Sequence, residues 1–170
     1  MNTDIHMFAG AVKMLHNLIS GRYLLVSVGK EGNNMENKFV INGFNGESVT
    51  VKINVRLYAV KDFMGKDMCG LALELLSLSD KNIWEPYGTI SKNFGEYIGL
   101  KNAVYIDTNN CPYSEELLEK GIAMKTHLTK SSGFCQYPLW VINPDFLNEH
   151  GGENYKKYSK EYDEYMASFE

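Results

Sequence analysis

Three cysteines, four histidines and a scatter of carboxylates are the residues of this chain best suited to chemistry. Nucleophilic catalysis needs a Cys or Ser within hydrogen-bond reach of a base that a third group orients. Cys135, in Ser131-Ser-Gly-Phe-Cys135, has His127 shortly upstream, so a Cys–His pair is the first arrangement to consider. Proximity along the chain sets no geometry, and an inert cysteine beside a loop histidine accounts for the same pattern. His6, His16, His127 and His150 are scattered without an H-x-x-x-H pair, and Cys69, Cys111 and Cys135 make no C-x-x-C. No metal site and no cofactor is therefore expected. Gly43-Phe-Asn-Gly46 is too short for a phosphate-cradling loop, and no Gly-Lys-Ser/Thr follows it. Glu115 and Glu116 are adjacent, so on a helix they point in different directions, and the helix dipole explains them better than acid–base work. Asp107, Asn109 and Asn110 follow a strand-like run and, with Cys135, could line a polar ligand site; an end-of-strand turn explains them equally well. No catalytic constellation is complete, and the reading leans away from an enzyme.

Composition narrows the classes further. A chain of 170 residues fits one domain and can bury a real core. Its formal net charge of −4 supplies no basic surface for nucleic acid or an anionic membrane. No apolar run approaches the roughly 18 residues of a membrane helix. Unpaired cysteines and the lack of a signal-peptide pattern point to a reducing cytoplasm.

The elements that must position any site are legible in part. Ile5, Phe8, Val12, Leu15 and Ile19 fall at helical spacing over residues 4–20, a strand-like run covers 23–28, and a polar Gly-containing linker covers 29–34. Residues 1–34 are thus an extension with two open readings. They form a genuine N-terminal helix and strand, or they are upstream translation, since Lys30-Glu31-Gly32 can be encoded by a purine-rich stretch resembling a ribosome-binding site before Met35. Residues 35–150 read as one α+β domain. Phe39–Ile41 is a short strand, and Asn45-Gly46 is a hairpin signal. Val49, Val51, Ile53, Val55, Leu57 and Ala59 then alternate with polar residues, which argues for an antiparallel sheet with one face buried. Asp62 to Cys69 reads as a connector, and Gly70–Leu78 as a strand. Pro86 breaks the chain before a strand over 87–91, and a further strand over 103–107 ends at Asp-Thr-Asn-Asn. Pro112 to Lys120 is a helix with proline in its first turn and Gly121 as its stop. Tyr137–Ile142 is a last strand, at an edge because Pro138 lacks an amide donor. The fold expected is an antiparallel sheet of about five or six strands with two helices on it.

Residues 151–170 change character. Tyr155, Tyr158, Tyr162, Tyr165 and Phe169 recur at spacings of three and four, which makes an amphipathic helix with an aromatic stripe. The stripe either docks on the protein's own sheet or anchors a partner or a second copy, since tyrosine is favoured at interfaces.

Two segments carry a family resemblance: Ala103-Val-Tyr-Ile-Asp-Thr-Asn-Asn-Cys-Pro-Tyr-Ser-Glu-Glu-Leu-Leu-Glu-Lys-Gly121 and Ser132-Gly-Phe-Cys-Gln-Tyr-Pro-Leu-Trp140. Together they resemble a family of small uncharacterised proteins carried by conjugative elements and phages of gut-type bacteria. The resemblance covers roughly residues 36–147 and brings no catalytic residues with it. It implies an accessory binding role, with a host or defence-system protein as partner and anti-CRISPR-like inhibition as the sharpest form. A small-ligand protein with its site near Asp107 and Cys135, and a homodimeric structural module, are the other readings.

Overall fold

Apolar alternation over a long hairpin sets the architecture. The computed structural model describes residues 37–43 and 45–169; the expected helix, strand and linker over 4–34, and Met35, lie outside the described residues. Strand β1 (Lys38–Asn42) pairs antiparallel with β2 (Ser48–Lys61), which pairs with β3 (Asp67–Leu78), which pairs with β4 (Trp84–Thr89). A second sheet contains β5 (Ser91–Lys92), β6 (Ala103–Ile106), β7 (Ala123–Ser132) and β8 (Cys135–Ile142) in the order β5-β6-β8-β7. Helix α1 (Glu115–Glu119) follows a 3-10 turn at Pro112–Ser114, and α2 (Pro144–His150) and α3 (Gly152–Ala167) close the chain.

The α+β class and the antiparallel pairing are as expected, but the single sheet of five or six strands is corrected to two sheets of four strands each. The division falls at Ile90. This buried residue donates its amide to the Leu73 carbonyl at 2.9 Å, while the Leu73 amide donates to Ser91 Oγ at 2.8 Å. The chain thereby leaves the edge of one sheet beside β3 and starts the edge of the other. Pro86, expected to break the chain, lies inside β4 instead. It is accommodated because β4 is an edge strand whose pairing with β3 shifts register between Leu75 and Leu76.

Pro138 requires a second correction. Strand β8 is central, not an edge. Its pairing with β6 covers Leu139 to Val141, and on the other side β7 shifts register between Lys125 and Thr129, the partner of Pro138. The missing amide therefore falls where the ladders are already interrupted. Strand β7 has no counterpart in the sequence reading; it is an edge strand with little burial and a bulge, so it carries no hydrophobic period.

The main core gathers Val51, Ile53 and Val55 of β2, Leu71, Leu73 and Leu75 of β3, Val104 and Ile106 of β6, Trp140 and Ile142 of β8, and the helices. A smaller cluster of Leu100, Ala103, Leu139 and Val141 covers the other face of the second sheet. That double burial explains the near-continuous apolar runs of β6 and β8. In the β2–β3 hairpin the buried parity changes along the strand. Odd-numbered residues face the core up to Val55, whereas Val60 and Met68 are buried in a separate cluster with Tyr165. Pairing between the strands runs without a shift over this stretch, so different parts of the molecule cover opposite faces of one ribbon.

Gly151 and Gly152 form a tight corner between α2 and α3. A Cβ on Gly151 would lie 2.4 Å from Tyr155 Cβ and 2.5 Å from the Leu147 carbonyl oxygen. Gly152 has φ +57° and open space around it. Gly151→Ala is expected to destabilise the protein by about 3 kcal/mol through overpacking. Gly152→Ala is expected to cost about 1 kcal/mol through left-handed backbone strain. Urea unfolding of both variants checks the order, which is the reverse of what φ alone would give.

Candidate functional site

Tyrosine at helical spacing does more than fill space, because each buried phenol must find a hydrogen-bond partner. The stripe of α3 turns inward: Tyr155, Tyr158, Tyr162 and Tyr165 are all buried against the chain's own sheets and loops. Tyr158 Oη accepts the Asn102 amide at 3.0 Å, and Tyr162 Oη donates to the Gly99 carbonyl at 2.9 Å. Tyr165 Oη donates to Asp62 Oδ2 at 2.9 Å. Three hydroxyls thus fasten the segment before β6 and the β2–β3 turn to the helix. Of the two readings of the stripe, the burial favours docking on the chain's own sheets: its tyrosine rings are interior, and Phe169 alone among the five keeps partial exposure.

Where the last turn of α3 meets the β2–β3 turn, a cleft of about 410 Å³ opens. Lys61, Asp62 and Phe63 form one wall, Gly95, Glu96, Tyr97 and Gly99 a second, and Tyr165, Met166 and Phe169 the third. The aromatic rings interlock. Tyr97 meets Tyr165 edge-on at 5.2 Å, and Tyr165 meets Phe169 edge-on at 4.9 Å. Phe63 and Met64 stand at the turn with 54% and 59% of their surfaces in water. Large apolar side chains at a turn tip break the polar habit of turns. Asp-Phe-Met-Gly-Lys was therefore a legible signal of this site that the sequence reading passed over as a connector.

Every charge at the cleft is engaged. Asp62 Oδ1 accepts the amides of Met64 and Lys66, both at 2.8 Å, and Oδ2 takes the Tyr165 hydroxyl. Glu96 is ion-paired with Lys130, and Lys61 with Asp67 at 2.5 Å. Burial alone would raise the Asp62 carboxyl, but the Lys66 amide, the Tyr165 hydroxyl, the Met64 amide and the Lys66 charge outweigh it and hold it below its ordinary 3.8. A depressed folded value means that the fold prefers the ion. Its contribution is complete at neutral pH and is lost as pH falls past 3.8 and through the depressed value. Asp62→Asn should therefore lower stability by about 1–3 kcal/mol at pH 7 and flatten the acid limb of stability against pH. Urea midpoints of both proteins across the acid range test this; parallel curves would refute it.

The residues grouped as a ligand site do come together at one end of the second sheet, but their polar groups serve the turn. Asp107 accepts from the Asn110 amide at 3.2 Å and side chain at 2.9 Å, and Asn109 Nδ2 donates to the Gln136 carbonyl at 3.1 Å. Cys135 pairs with Ser132 across the hairpin end, beside Gln136. His127 lies five positions along β7 from Ser132, about 16 Å at strand rise, so no Cys–His pair forms. The Cys111 thiol is buried, and burial pushes it up, away from nucleophilic reactivity. Among the described residues no group of three His, Cys, Asp or Glu side chains could hold a metal ion. No helix among them is long and apolar enough to cross a membrane.

No protein-family model, curated protein or solved structure matches the chain.

Proposed function

We propose that this is a non-enzymatic binding protein whose cleft at Phe63, Tyr97 and Phe169 receives apolar side chains of a protein partner. One observation carries the reading: Phe63 and Met64 are exposed beside an aromatic cleft whose charged groups are already paired. Such a site offers desolvation and shape to an apolar anchor. It presents no activated nucleophile to a substrate, and its buried carboxylate is held by three donors. The resemblance to accessory proteins of mobile elements directs the partner toward a host protein, defence machinery included, with inhibition by occupancy as the mode of action.

The test is affinity capture with the tagged full chain expressed in a bacterial host, read by mass spectrometry beside Phe63→Ser and a tag-only control. A stoichiometric partner that the parent retains and Phe63→Ser loses supports the reading. A partner held equally by both, or none above background, defeats it.

A further inference from the structure

The outer face of the first sheet carries a like-charge pair that no acid among the described residues neutralises. Lys38 and Lys52 are direct cross-strand partners on β1 and β2. Like charges in that relation oppose pairing. Their ammonium groups stand over one ring, Trp84 of β4, at 5.8 Å and 4.4 Å from its centroid. Neither makes an ion pair among the described residues. The nearest acid in strand register on this face, Glu74, is held by Asn54 at 2.9 Å and by Arg56 at 3.6 Å.

Beneath and beside the lysines the face is apolar. Leu76 pairs with Lys52, Leu78 pairs with Trp84, and Val40, two positions along β1 from Lys38, is 55% exposed. Two cations without counter-ions among the described residues, clamped on an indole in an aliphatic setting, are complementary to an acid flanked by apolar side chains. We propose that this face is a second binding surface, for an acidic, apolar peptide segment of a partner protein. Its carboxylates would sit between Lys38 and Lys52, and its apolar residues would lie on Trp84, Leu76 and Leu78. Two lysines on a chain of net charge −4 are too few for a polyanion, which favours a peptide over single-stranded nucleic acid.

The experiment titrates the full chain with a capped peptide alternating leucine and glutamate, its glutamine counterpart, and oligothymidylate of matching charge. The readout is the Trp84 indole proton–nitrogen resonance, assigned by its disappearance in Trp84→Phe. The acidic peptide should shift that resonance saturably, and Lys52→Gln should weaken binding about tenfold or more. The glutamine peptide should bind no better than Lys52→Gln does to the acidic one. Lys38 is exposed and Lys52 half-buried at the sheet surface, and Lys52→Gln removes one of two opposed like charges, so it should unfold at a temperature close to the parent. An unmoved resonance, equal binding by Lys52→Gln, or tighter binding of oligothymidylate would each overturn the proposal. Phe63→Ser should leave this titration unchanged, which separates the surface from the cleft.

Discussion

Tyr158→Ala will remove about 3–5 kcal/mol of stability, the range for deleting a large buried aromatic side chain. Tyr158 is almost wholly enclosed, stacks on Tyr155 at 6.3 Å and meets Tyr162 at 6.0 Å. Its hydroxyl also satisfies the amide of Asn102, a residue at φ +63° in the turn that starts β6. Deleting the side chain opens a cavity and leaves that amide unpaired in the interior. Tyr158→Phe isolates the second effect and should lose about 1–3 kcal/mol. Since a domain is stable by only about 5–15 kcal/mol, the alanine variant should be close to unfolded at 37 °C. Urea unfolding followed by circular dichroism gives both numbers. If Tyr158→Ala kept parental stability and only partner capture or oligomeric state changed, the interior role of the stripe would be wrong.

The second large effect is on binding. Phe63→Ser should weaken the captured partner about 30-fold or more, the loss typical of a central aromatic anchor. Serine is preferred to aspartate because a new carboxylate next to Asp62 would disturb the turn electrostatically. More than half of Phe63 is already in water, so the unfolding midpoint should barely move. This pairing of a large binding loss with a small stability loss is the inverse of the Tyr158 result. Phe169→Ala, across the cleft, should weaken binding in the same direction. Loss of affinity in Tyr158→Ala but not in Phe63→Ser would place the interface elsewhere.

Much of the fold is written locally. The alternation from Val49 to Ala59 specifies a two-faced strand, Pro112 and Gly121 bracket a helical segment, and five aromatics at helical spacing make one apolar stripe. Gly70–Leu78, read as a strand, is one because it faces β2 residue for residue. Less of the site could be read. Asp107, Asn109 and Asn110 lie near Cys135 and Gln136 at one end of the second sheet, yet their partners, backbone atoms and one another, are invisible in a sequence. The cleft unites a turn near residue 63, a loop near 97 and a helix end near 166, which no spacing rule connects.

Sequence alone determined which residues want to leave water and with what period, because that follows from side-chain chemistry and backbone geometry. It could not determine what covers each apolar face. Whether the tyrosines meet a partner or their own sheet, whether Val60 turns inward where Ala59 does not, and whether the strands make one sheet or two depend on distant segments competing for the same surface. The weakly buried β7 and the interior Pro138 belong with these: a strand that gains little by burial, and an amide that is dispensable only where its neighbours' ladders stop, are defined by contacts and not by composition.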